Sequence, residues 1–597
     1  MLRKKTAIFM ALIMSALCLT ACNQDTSTSS SSASANSSQT QSTAENNASE
    51  STTDTPSQTS TVSDNGSYST EMFSDGDFKD VTSEDANATI TLSGSEGTIS
   101  DTTRGSSGSE VTITSKGTYR ITGSSDGVSI VVNDSTKSGN IYLILDNVTM
   151  TNSSTSCINI QAADKVIIQC VGENNITCSN SDSSAKVDGA IYAKSDITVN
   201  GSGSLNITSA LHGIVGKKDV KLTGGNVNIN AESIGIQASD FLRTGGGEIS
   251  ITSGHDGIQV SNSDNNAYFY FENAIMNINA GYDGIAVTAD SDNTDFTGYL
   301  KAVSGTISIT SGGGSDNSKN SSTSQKGIKC AGDIDLSGAG LNISSADDAV
   351  HGKANVTIGS GSYVLSSSDD GITASKDITI NDGAVSVTKS YEGIEAANIT
   401  INGGEVNVTS SDDGINTSGG SDTSSNDDNP WGASTDSALT INGGSVYVNA
   451  NGDGLDSNGS IYITGGTVIV EGPTDNGNGA IDKGDGNGCV ASITGGTLLA
   501  IGSSGMAVNF DTGSQCSALV SLSGDSGTEI KADDGSGFTF TTTKKFECVV
   551  YSSPSMTQGN TYTLNAGSSS STMDFSSSLY YSDVQTRGGM GMPGGRN

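Results

Sequence analysis

Carboxylates recur in this chain at a spacing that would place them in one line. Asp347-Asp348 precede Ala349-Val350, Asp369-Asp370 precede Gly371-Ile372, Glu392 precedes Gly393-Ile394, and Asp412-Asp413 precede Gly414-Ile415. Asp256 and Asp283 occupy the same slot earlier, and Asp453 with Asp456 later. Such residues are hard oxygen ligands. Ca2+ takes roughly six to eight oxygens, and carboxylates alternating with turn carbonyls would supply them. Left alone, two carboxylates one strand spacing apart repel by about 0.9 kcal/mol in water and about 3 to 4 kcal/mol at an effective dielectric of 20. The ordinary alternative is that Asp closes turns by accepting local N–H groups. That accounts for single residues better than for pairs in three of four neighbouring repeats.

What positions these residues is a period. Gly213, Gly235 and Gly257 are 22 residues apart, as are Ala349, Gly371 and Gly393. A repeat of this length implies stacked units that cannot bury a core singly. Between Gly371 and Gly393, Ile372 with Ala374, Ile378 with Ile380, and Val385 with Val387 each flank a polar residue. Three period-two strands separated by turns make one coil of a parallel β-helix. The repeat runs from about residue 188 to about residue 508, and no 3.6-residue apolar pattern interrupts it. Insertions at 288–297, 312–325 and 418–437 all border the strand that follows the acidic turn, as loops walling a binding face would.

Lys194, Lys217, Lys329, Lys353 and Lys376 follow the same strand. They read equally as a basic edge able to meet uronate carboxylates or as charges that discourage sheet pairing. Trp431, alone of its type and inside the third insertion, is a candidate sugar platform or an ordinary loop anchor. His212, His255 and His351 stand in different registers and make no metal triad. The segment 475–487 resembles a calcium loop only loosely, without the terminal Glu.

The termini bear on location. Arg3-Lys4-Lys5, an apolar run and Leu19-Thr20-Ala21-Cys22 form an export signal ending in a bacterial lipobox, with Cys22 as the lipidated residue. The Ser/Thr-rich stretch that follows carries almost no apolar residues and is expected to be a disordered tether. The expected organisation is signal peptide 1–21, tether 22–84, β-helix 85–550, and a C-terminal strand and tail 551–597 with a loose Gly/Met-rich end. Net charge is −37, which excludes nucleic acid and anionic lipid surfaces as partners and suits divalent cations. The nine cysteines include Cys18 in the signal and Cys22 in the lipobox, and show no zinc spacing. The rest read as buried hydrophobes, with a disulfide among Cys157, Cys170 and Cys178 left open.

Upstream lie Gly117-Thr118-Tyr119-Arg120-Ile121-Thr122-Gly123, Ile141 to Val148, Cys157 to Val166 and Asp188 to Ile197. With the Asp-Gly-Ile coils and the Gly-Met-Gly end, they resemble a family of secreted bacterial β-helix proteins that bind cellulose or polygalacturonate. The resemblance covers about residues 85–550. It implies an all-β, right-handed parallel β-helix (solenoid), related in shape to pectate lyases, with bound calcium and no established catalysis. By position, the implied Ca2+ ligands are the acidic turn residues named above. The three insertions, and Ala349 where the coil usually has Gly, depart from the pattern. The function expected is a monomeric, membrane-anchored lipoprotein at the cell surface that binds a polysaccharide. The alternatives are a calcium-dependent lyase with Lys353 or Lys376 as base, or a structural adhesin.

Overall fold

The computed structural model describes residues 69–289, 296–417 and 437–582. Strands dominate, and the described helical structure is two 3-10 turns, Asp75–Asp77 and Ser83–Asp85. The body is the parallel β-helix expected from the repeat. From Ile158–Ala162 onward each coil contributes to each of three parallel sheets, Ile372–Ile380 and Ile394–Ile401 each running through the first two, and the pattern ends with Thr497–Gly502. The coil Ile236–Ala238, Phe241–Thr244, Glu248–Ser253 pairs in parallel with Ile258–Asn262, Tyr268–Phe271, Ala274–Ala280, strand for strand. We call the three the Gly-Ile sheet, the second sheet and the third sheet.

The period-two pattern explains the core. Ile258, Ile285, Ile328, Val350 and Ile372 stack in register along the Gly-Ile sheet, and all are fully buried. Each such side chain contributes about 1.5 to 3 kcal/mol of burial. The glycine before each isoleucine is steric. A Cβ on Gly371 would lie 2.5 Å from the Gly393 carbonyl oxygen and 2.6 Å from Val387 Cγ1.

Both ends depart from the parallel stack. At the start, Ala88–Gly94 pairs antiparallel with Glu96–Ile99. At the finish, Cys548–Ser552 pairs antiparallel with Thr497–Gly502, covering an edge that would otherwise template aggregation. Glu529–Asp533, Thr539–Thr541, Thr561–Ala566 and Ser569–Asp574 then build a four-stranded antiparallel sheet with its own core, including Leu564, Met573 and Phe575. Residues 551–582 are therefore part of a cap and not a tail, because their apolar residues alternate and bury against this second core. The Gly/Met-rich end, Cys22, the signal peptide and Trp431 lie outside the described residues.

The stretch 69–84, assigned by composition to the tether, is docked along the body. Met72 and Phe73 bury against Tyr270 of the second sheet. Asp77, fully buried, ion-pairs with Lys165 and Lys221 and accepts from Thr198. The Val81 backbone makes two hydrogen bonds with the Gln169 amide, each 2.8 Å. Few residues anchor the segment, so its average polarity concealed them. The seven described cysteines are free and buried, which removes the disulfide among Cys157, Cys170 and Cys178. Burial pushes the Cys157, Cys170, Cys330 and Cys548 thiols up to about 12.

Candidate functional site

The acidic turn repeats as a column because each turn is bonded to the next coil. Gly257 N–H donates to the Asp283 carbonyl, Gly327 to Asp348, Ala349 to Asp370, Gly371 to Glu392, Gly393 to Asp413 and Gly414 to Asp453, all within 2.8–3.0 Å. Gly284 N–H donates to Lys326, so a lysine fills the one coil that lacked an acid. A second column lies one residue earlier. It runs from His255 to Tyr282, and further on from Asp369 through Tyr391 to Asp412. A third is the outward row of the Gly-Ile sheet itself: Lys329, His351, Thr373, Glu395, Asn416, Asp456 and Asp482 in successive register. Glu395 and Asn416 escaped the sequence reading, and their signal was the position immediately after Gly-Ile; Asp482 had entered it only within the loose calcium-loop segment 475–487.

The candidate residues fall into two electrostatic regimes. In the first, Asp347, Asp348 and Asp369 present oxygens within 4.8 Å of one another, but lysines already serve them. Lys326 Nζ lies 3.1 Å from Asp347 Oδ1 and also bonds Asp348. Lys319, carried in by the 312–325 insertion, bonds Asp369 and lies 3.4 Å from Asp347. His351 Nδ1 is 2.9 Å from Asp348 Oδ2. Burial opposes the Asp348 charge, but the His351 bond and the Lys326 ammonium outweigh it and hold the carboxyl well below the usual range. Asp283 is likewise served by the Lys326 N–H at 2.8 Å and by Lys329 Nζ at 3.4 Å. Asp256, at the start of the column, is pushed up to about 7 by burial and then by Asp283.

The second regime lies further along. Asp370, Glu392 and Glu395 also bring oxygens within 4.8 Å of one another. Burial, then the charges of Asp348 and Asp369, push Asp370 up to about 10. Burial, then Glu395, pushes Glu392 up to about 8. Asn416, 5% exposed, donates Nδ2 to Glu392 Oε2 at 2.9 Å, while its buried Oδ1 has no partner. An orphaned buried oxygen carries a desolvation cost of about 1 to 3 kcal/mol. Above it, Asp413, Asp453 and Asp456 are pushed up to about 6, 7 and 8, by burial first and then by neighbouring carboxylates: Asp412 on Asp413, Asp482 on Asp453, and Asp413 on Asp456. Asp482 moves the same way. Among the described residues, Asp370, Glu392, Asp413, Asp453 and Asp456 form no ion pair. Carboxylates together with an amide oxygen are a donor set for a hard cation.

The lysines also separate. Lys329 belongs to the outward row and faces Asp283, whereas Lys353 and Lys376 are exposed. The Lys353 N–H bonds the Cys330 carbonyl and that of Lys376 bonds Ala354, which places both at the corner after that row. They form no single basic edge. Tyr391, 48% exposed between the Asp369 and Asp412 coils, is an aromatic surface beside the second regime.

Comparison with known proteins bears on this site. A family model described as carbohydrate-binding domain-containing protein matches residues 107–371 and 365–414, more than half of the chain. A carbohydrate-binding domain-containing protein of Acetivibrio thermocellus is 33% identical over 125 residues, which are 20% of this chain and 43% of that relative. The chain thus spans less than half the length of the curated relative it matches. A solved polysaccharide lyase-like protein from C. thermocellum, a gadolinium derivative, aligns at 24% identity with a TM-score of 0.32, over 49% of this chain and 96% of that one. By the extent of the family match, this chain belongs to the carbohydrate-binding domain-containing family.

Proposed function

We propose that this protein is a surface-tethered lipoprotein that binds acidic polysaccharide through calcium held on the Gly-Ile sheet. One observation carries the reading: Asp370, Glu392 and Glu395 converge in a largely buried site beside the unpartnered Oδ1 of Asn416. Burying these charges together is costly, and a divalent cation would offset the cost while satisfying the amide oxygen. Asp413, Asp453, Asp456 and Asp482 extend the same row and offer further ligands. Asp347, Asp348 and Asp369 are assigned to lysine instead. The row runs along the solenoid, so a uronate polymer lying on it would complete the cation shells with its own carboxylates. In this way an acidic protein binds an acidic chain. Cys22, lipidated, would hold the protein to the membrane.

The test is binding of polygalacturonate to wild type and to Asp370→Asn with Glu392→Gln, with calcium and with EGTA. The expected result is calcium-dependent binding that the double variant loses while keeping its β-rich circular dichroism. Undiminished binding in EGTA would sink the proposal. Release of unsaturated uronate, read by absorbance, would replace the non-catalytic reading with a lyase.

A further inference from the structure

The second sheet carries a docked peptide. Residues 69–81 lie along its outward face, and three buried anchors stand four residues apart: Phe73, Asp77 and Val81. Each meets its own receptor on the body. The Phe73 ring packs edge to face on Tyr270, centroids 6.2 Å apart, over Gly245, where a Cβ would lie 2.8 Å from the ring. The Asp77 carboxylate takes Lys165, Lys221 and Thr198. Its carbonyl accepts from Thr223 Oγ1 at 2.6 Å and from Asn200 Nδ2 at 3.2 Å. The Gln169 amide accepts the Val81 N–H and donates to the Val81 carbonyl, as a paired strand would. At the far end Ser69 N–H donates to Glu272 Oε1 at 2.8 Å.

Two features make this a groove holding a ligand and not a wall of the fold. Among the described residues, no strand pairs with 69–81, and its backbone-to-backbone bonds are local, such as Phe73 N–H to the Ser69 carbonyl at 2.9 Å. The body reads the segment through side chains, so lifting it away leaves the ladder of the β-helix whole. The groove is also matched in charge. The segment carries Glu71, Asp75, Asp77 and Asp80 against Lys79. Among the described residues, Lys165 and Lys221 ion-pair with no carboxylate but Asp77. Burial, and then the Lys165 charge, hold the Lys221 ammonium below its usual range. An empty groove would leave two crowded, half-buried cations, which is costly.

We propose that this face is a peptide-binding groove that takes the 69–81 segment of a second copy of this chain in exchange for its own. The link to the body gives the reach. Residues 82–87 join the segment to the first strand at Ala88, Thr82 to Asp85 are exposed, and six extended residues span about 20 Å. Every copy carries one acidic, aromatic segment and one basic groove. Reciprocal exchange closes as a two-fold dimer in which each contact above recurs between copies. The contacts are the same in monomer and dimer, so concentration sets the balance. The groove lies on another sheet from the acidic row and does not depend on the calcium reading.

The test has two arms. In the first, a labelled synthetic peptide of residues 69–81 is titrated by fluorescence anisotropy. It should bind the full chain carrying Phe73→Ser with Asp77→Ala about a hundredfold more tightly than wild type, whose own segment holds the groove shut. The same peptide with Asp77→Ala should not bind. In the second arm that open-groove chain is mixed with a full chain carrying Lys165→Met with Lys221→Met, which keeps the segment and loses its receptor. Size-exclusion chromatography with light scattering should show a one-to-one heterodimer, and neither chain alone should dimerise. Circular dichroism checks that both stay β-rich. If the methionine pair disturbs folding, Gln169→Ala with Thr198→Val takes its place. No peptide binding by the folded open-groove chain, or a mixture that stays monomeric, would overturn the proposal.

Discussion

Metal-free protein should lose stability as pH rises from 5 to 8, the reverse of what a set of ion-paired carboxylates would do. Burial, and then neighbouring negative charge, raise Glu392 to about 8, Asp456 to about 8, Asp453 to about 7 and Asp413 to about 6 in the folded chain. A carboxyl raised above its unfolded value binds its proton more tightly when folded. Its stabilising contribution is complete below the unfolded pKa and is lost as pH climbs through the folded one. Each such group is worth about 1.4 kcal/mol per pH unit in that window, so Glu392 alone is worth about 4 kcal/mol between pH 5 and 8. The shifts include one another's charge and do not add, which leaves on the order of 5 to 10 kcal/mol for the row. Asp77 and Asp348 are lowered instead, and their contributions are lost only as pH falls below about 4. They leave this window clear. Calorimetry in EGTA at pH 5, 6.5 and 8 should show Tm falling by several degrees. Saturating calcium should recover most at pH 8, where the ligands lose their protons most readily. A metal-free Tm that rises or stays level across this range would refute the claim that these carboxylates have no ion-pair partner.

Lys326→Met should cost about 3 to 5 kcal/mol, because it leaves Asp347 and Asp348 buried without their ammonium. Added calcium should recover part of that loss in Tm, and a neutral outcome would mean that Lys319 and His351 suffice. Asp77→Ala should release the docked segment, since Lys165 and Lys221 lose their shared partner. Limited proteolysis should then cut within 69–81, and an unchanged digest would show that Phe73 and Val81 hold it alone. Cys22→Ser should move the protein from the membrane to a soluble fraction, and firm retention would remove the lipoprotein assignment.

The 22-residue period and the period-two strands were enough to establish a three-sheeted solenoid. They also placed the acidic turns in one column, because in a stacked coil the position within the repeat is the position in space. Identity at each position then told which residues face in: Ile372, Ile378 and Val385 are buried where the alternation puts them. What the period could not carry is which charge meets which. Lys319 reaches Asp369 across 50 residues because an insertion folds back over the coil edge. Lys326 enters the acid column as an ordinary member of the repeat and pairs with Asp347 and Asp348 of the next coil. Glu395 and Asn416 join the site through sheet register, one residue beyond the phrase that drew notice. The docking of 69–81 and the C-terminal cap rest on a few side chains without period, Phe73 and Asp77 in one case, Met573 and Phe575 in the other. Repetition makes local sequence equivalent to position. Insertions, ends and ion pairs break that equivalence, because their partners are chosen by distance in the folded chain and not by distance along it.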